Sequence, residues 1–293
     1  MIHSTQTEYR EPGTSVSGRL GPVQRLRLAA AASVVALGLT ACQSNTQIEK
    51  AIDLNPDQGS QENIASLTAV VERNPKNAEA YNVRGTAFGK AGRNREALAD
   101  FTRAIELNPR FYQAYANRAL IYRAQGDPAA AIGDYNQALK INREYDVAYI
   151  GRGTVYRLAS KNEQAMRDFQ RAIQIGSTNP RAFHGRGLIY QAQGNHQQAI
   201  EDFTAAISLD PASPEPYNSR AVSYLAINDG YNAIEDADRA INLNGRYADA
   251  WITKGLALEA RGDKRQAFMA YQRASRIDAQ SRLARDGMTR TRG

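Results

Sequence analysis

A small residue returns every 34 positions in this chain: Gly85, Ala119, Gly153, Gly187, Ala221 and Gly255, with no insertion between them. An aromatic stands four positions before each one, an aromatic or Leu three after, and small residues recur 12 and 19 after. The first complete unit, AYNVRGTAFGKAGRNREALADFTRAIELNP, runs from Ala80 to Pro109. A unit of that length cannot bury its own apolar face, so copies must stack to build a continuous core.

Each unit reads as two amphipathic helices. Tyr81, Gly85 and Phe88 fall on one helical stripe, and Ala97, Phe101, Ala104 and Ile105 on another. Gly92 breaks the chain between them where a left-handed residue can cap the first helix, and Asn108-Pro109 closes the second. Small residues let helix backbones approach, and rings fill the remaining space. Sixteen of the 23 aromatics sit at three repeat positions, which assigns them to packing and not to base stacking or a ligand cage.

This frame resembles the tetratricopeptide repeat, whose signature is an aromatic, a Leu-Gly pair, a Tyr, then Ala, Phe and Pro at fixed offsets. The resemblance implies an all-α fold, a right-handed α-solenoid of stacked antiparallel helix pairs. Six units are expected at 78–111, 112–145, 146–179, 180–213, 214–247 and 248–281. A lone second helix over 61–77 and a basic tail over 282–293 are expected to cap the ends, the tail fraying after Gly287. The signature Pro is kept at Pro109 and Pro211 but replaced at Arg143, Ser177, Gly245 and Ala279, so those corners are expected to be less sharply fixed.

The signature Leu is replaced by Arg84, Arg118, Arg152, Arg186 and Arg220, and sixteen residues after each stands Asp100, Asp134, Asp168, Asp202 or Asp236. In the sixth unit the Arg becomes Lys254 and the Asp becomes Ala270. Loss of both partners together predicts five structural ion pairs between helices.

Ahead of the repeats, Arg25 and Arg27 precede a run of twelve residues from Leu28 to Leu39 that is rich in Ala, Val and Leu. That is too short for a permanent transmembrane helix and has the layout of a secretory signal. Leu39-Thr40-Ala41-Cys42 resembles the bacterial lipobox, which implies a signal over 1–42 and lipid on Cys42, with 43–60 as a tether. Gln43, in place of an Asp, implies the outer membrane of a Gram-negative bacterium, facing the periplasm. Val23 reads as an alternative start that leaves a signal of ordinary size. Cys42 is the single cysteine, so no disulfide forms within one chain.

Net charge is +7; the first 42 residues carry four Arg and two Glu, so their removal leaves +5. Much of the excess lies beyond Arg261, a surface for anionic headgroups, cell-wall carboxylates or an acidic partner. Export argues against nucleic acid.

The repeat resemblance implies a concave groove lined by the first helices. Repeat phase places Asn82, Arg123, Arg157, His184 and Asn218 there as polar hooks: the Asn amides for a peptide backbone, Arg123 and Arg157 for a carboxylate. The Lys/Asn/Arg clamp that some family members use for acidic chaperone tails is not evident. No phosphate loop, zinc spacing, nucleophile elbow or paired carboxylate is present, so no metal, cofactor or catalytic residue is expected. The reading is a membrane-anchored periplasmic scaffold or adaptor for envelope proteins, such as a protease or peptidoglycan enzyme. The alternative is a pilotin-like accessory lipoprotein for a pilus or secretion system. An enzyme using His184 is the outside case, and a homodimer through the end helices is compatible with the array.

Overall fold

A computed structural model of the chain describes residues 59–292. The expected signal, Cys42 and the tether through residue 58 lie outside the described residues. Fourteen helices follow in order among the described residues: α1 Gln61–Arg73, α2 Ala78–Lys90, α3 Asn94–Leu107, α4 Tyr112–Ala124, α5 Pro128–Ile141, α6 Asp146–Leu158 and α7 Asn162–Gln174. Then come α8 Pro180–Ala192, α9 His196–Leu209, α10 Pro214–Ala226, α11 Gly230–Leu243, α12 Ala248–Ala260, α13 Lys264–Ile277 and α14 Arg282–Thr291. Each pair from α2/α3 to α12/α13 is one repeat, and each second helix also packs against the first helix of the next repeat. The result is an α-solenoid whose first helices lie side by side. In phase with the rest, α1 is an unpaired second helix and α14 an unpaired first helix.

The small-residue column explains the close pairing. A Cβ on Gly153 would lie 3.1 Å from the Phe169 ring, and one on Gly187 would lie 2.7 Å from Phe203. Phe101, Phe169, Phe203, Tyr135 and Tyr271 are at most 2% exposed, so the second-helix rings are the core. Their burial, at about 25 cal/mol per Å² of apolar surface, is the main favourable term in such a stack.

Helix ends are fixed by local chemistry. Side chains of Ser60, Asn77, Asp127, Asn179, Asp229, Asp263 and Ser281 accept backbone N–H bonds at helix starts. Within repeats the turn uses positive φ at Gly92, Gly126, Gly194 and Gly262, but also at Ser160 (56°) and Asn228 (62°).

Two expectations about ends are corrected. Corners without Pro are held as firmly as those with it, because the preceding Asn or Asp makes the turn. Asn108 and Asp210 accept from the N–H two residues on at 3.1 Å each, and Asn142, Asn244 and Asp278 do the same at 3.0, 3.0 and 2.9 Å. The odd corner is Ile175-Gly176-Ser177, where Gly176 takes φ 84° and Ser177 Oγ donates to Asp146 at 2.5 Å. Nor does α14 stop at Gly287. It runs to Thr291, whose buried hydroxyl donates to the Gly287 carbonyl at 2.7 Å.

Five Arg/Asp columns close into bidentate pairs, each with a shortest N–O distance of 2.7 Å. The Asp residues are 4–7% exposed. Hydrogen bonding to Asp raises the Arg pKa values above the ordinary value against the opposing effect of burial. Several of these Arg also reach backwards: Arg118 to Thr102 and Arg220 to Thr204, at 3.0 and 2.8 Å. Arg152 reaches Asn136 at 2.6 Å. Lys254, facing Ala270, turns to Asp238 at 2.6 Å instead.

Candidate functional site

The first helices of the second, third and fourth repeats, α4, α6 and α8, frame a hollow of about 330 Å³. Two glycines shape its floor. At Gly151 a Cβ would collide with the Tyr135 ring and hydroxyl, and at Gly185 with Phe169, so both core rings press against the floor and Tyr135 lines the hollow itself. Leu120, Val147, Ile150 and Leu188 supply apolar wall. Arg123, Arg157, Arg181, His184, Asn117 and Asn179 supply the polar part.

Charge in this hollow has one sign, since three arginines line it with no Asp or Glu among the lining residues. Burial lowers the Arg157 pKa, with no carboxylate opposing it, unlike the paired Arg152. His184 is pushed down to about 4, mainly by burial and then by Arg157. Its neutral ring sits 3.1 Å from Ser219 Oγ through Nε2, and 5.5 Å from the Phe203 ring between centroids.

Of the five residues placed in the groove by repeat phase, Arg123, Arg157 and His184 meet in this hollow, while Asn82 and Asn218 do not. Asn82 Oδ1 accepts from Asn117 Nδ2 at 3.0 Å. Asn218 is 8% exposed, and its Nδ2 is directed to the Tyr247 hydroxyl at 3.5 Å. Asn218 is thus held in the stack through Nδ2, while its buried Oδ1 has no hydrogen-bond partner among the described residues. Further along, the groove satisfies itself, because Gln191 Nε2 donates to the Ser219 carbonyl and to Ser223 Oγ, both at 2.8 Å. Sequence reasoning missed Tyr135, Asn117, Asn179 and Arg181. One signal for Tyr135 was available: a Tyr in a column that holds Phe101, Phe169 and Phe203, followed sixteen residues later by Gly151.

Burial of His184 has a pH consequence. Its folded pKa of about 4 lies below the ordinary 6.5, so the folded state resists protonation. Its contribution is complete above about pH 6.5 and is lost as pH falls towards 4, on the order of 3 kcal/mol in all. Thermal melts from pH 7 to 4 should therefore fall more steeply for the native protein than for His184→Gln; parallel curves would contradict this.

Family models of the tetratricopeptide repeat match residues 83–147, 153–194, 180–213 and 248–281. The chain belongs to the tetratricopeptide repeat family. No curated protein matches it by sequence. Among solved structures, a chain of the APC/C hetero-tetramer Cut9-Hcn1 superposes with a TM-score of 0.73 at 17% identity, covering 80% of this chain and 46% of that one. This protein thus spans under half of that chain. PilF of Pseudomonas aeruginosa gives 0.66 at 19% identity, covering 73% and 97%. PilW, a type IV pilus biogenesis factor, gives 0.64 at 16%, covering 71% and 97%. These likenesses are of fold. Tetratricopeptide repeat proteins commonly act as protein-binding scaffolds, and the hollow on α4, α6 and α8 lies on the first helices of this one.

Proposed function

We propose that this protein is a non-enzymatic scaffold of the bacterial envelope, which captures a partner protein through the hollow lined by Arg123 and Arg157. The observation that carries the reading is three arginines in one hollow without a lining carboxylate. A partner segment that carries carboxylates would meet unopposed positive charge there. His184 is packed beside the Ser219 hydroxyl, 3.1 Å from its Nε2, but no carboxylate hydrogen-bonds the ring among the described residues to orient it as a base, which favours binding over catalysis. The lipobox-like ending at Cys42 supports anchoring at the outer membrane, facing the periplasm, and the adaptor role for a protease or peptidoglycan enzyme fits that address.

Arg123→Glu combined with Arg157→Glu should abolish partner capture from solubilised envelopes while leaving the melting temperature within a few degrees. Undiminished capture would move the site elsewhere. Cys42→Ser should remove lipid labelling and leave the precursor unprocessed; a labelled band in that variant would end the anchoring proposal.

A pilus or secretion accessory role is the second reading. It draws on PilW, whose chain this protein spans over 97% of its length. Crosslinked partners decide between the two: a secretin or pilin for the accessory role, a hydrolase for the adaptor.

A further inference from the structure

The last corner of the stack repeats the hollow with its charge already satisfied. Because α14 is in phase, Tyr271, Gly287, Glu259 and Arg290 stand 136 residues after Tyr135, Gly151, Arg123 and Thr154. In the last corner the Tyr271 ring packs where a Cβ on Gly287 would lie 2.6 Å away. Its hydroxyl donates to Glu259 Oε2 at 2.7 Å, and Arg290 grips both oxygens of that carboxylate at 2.8 and 2.9 Å. The bond to Arg290 holds the Glu259 carboxyl below the usual range.

In the hollow the same ring packs over the same glycine, but the carboxylate is missing. Arg123 stands in place of Glu259, and Thr154 in place of Arg290. Thr154 spends its hydroxyl on the Ile150 carbonyl at 2.7 Å. Tyr135 is 2% exposed, and its hydroxyl makes no hydrogen bond among the described residues. Arg123 makes no ion pair among them. The phenol opens on the hollow and the guanidinium is half-buried in its wall, so both are donors that no acceptor among the described residues occupies and that a ligand can meet. We infer that Tyr135 and Arg123 form the seat for an acidic side chain, a Glu or Asp, within an extended segment of the bound partner. The segment crosses the hollow, since Arg157 on α6 and Arg181 on α8 extend the positive lining beyond Arg123 on α4. Leu120, 42% exposed beside the seat, suits an apolar neighbour of that acid.

The inference rests on groove capture as proposed above, and the test separates the two. Detergent-solubilised protein is used to select from two random nonapeptide phage libraries, one joined to the coat protein through the peptide's C-terminus and one with that terminus free. Selected clones should carry Glu or Asp at a fixed spacing from an apolar residue in the joined library. Tyr135→Phe should weaken them about tenfold, as expected for loss of one hydrogen bond to a charged group. Arg123→Glu with Thr154→Arg, which rebuilds the last corner's triad in the hollow, should abolish binding and melt no lower than the native protein. Should that double variant melt lower, the Tyr135→Phe affinity decides. Absence of acidic enrichment, enrichment confined to free C-termini, or unchanged affinity in Tyr135→Phe would overturn the seat. If the Arg123→Glu/Arg157→Glu variant still lost its envelope partner in that case, the scaffold would stand and only the seat would fall.

Discussion

Arg152→Ala should destabilise the protein by about 3–5 kcal/mol, the range for breaking a buried pair from one side. Arg152 donates to both oxygens of Asp168 at 2.9 and 2.7 Å and to Asn136 at 2.6 Å, so one guanidinium ties α6 to α7 in its own repeat and to α5 in the previous one. Its removal strands a carboxylate that is 5% exposed. Arg93, paired with Glu96 at 44% and 42% side-chain exposure, is the control, and Arg93→Ala should change little. Thermal unfolding of the two variants checks the contrast, and equal melting points would refute it. Removing both charges with Arg152→Leu and Asp168→Leu should recover part of the loss, because neither charge is then left unpaired in the stack.

The pair was readable because both partners recur with the period and vanish together at Lys254 and Ala270. The backward bond was not. Its acceptors are Thr102, Asn136, Thr204 and Asp238, three residue types at one position, and only the neighbouring helix reveals what they do. Similar reasoning covers the groove. Repeat phase names the positions that face it, yet whether a polar group is free depends on what the next helix offers. Asn117 takes up Asn82, and Tyr247 takes up Asn218, while Arg123 and Arg157 meet no carboxylate in the hollow they line. Tyr135 sat in a core column and read as packing; Gly151, by lacking a side chain, lets its hydroxyl reach the hollow. The corners show the converse error. Loss of Pro suggested weak turns, but Pro only restricts the backbone, and the Asn or Asp one position earlier makes the hydrogen bond.

Phe169→Ala should cost a comparable 3–5 kcal/mol or so, at the upper end of its class, and should disable the hollow as well. The cost of a large-to-small change depends on how far the surroundings can collapse into the gap. Phe169 is fully buried, and it faces Gly153 on α6 and Gly185 on α8. Neither glycine has a side chain to move inward, so the cavity stays open unless whole helices shift. A shift of α8 would displace His184, Gly185 and Leu188, all of which line the hollow. Nearest-neighbour coupling in a stack then predicts more than a lower melting point. Weakening the α7–α8 contact divides the array at its middle, so hydrogen exchange should quicken in α6 to α8 well before α12 and α13 are affected. Uniform acceleration along the chain would show instead that the stack unfolds as a single cooperative unit.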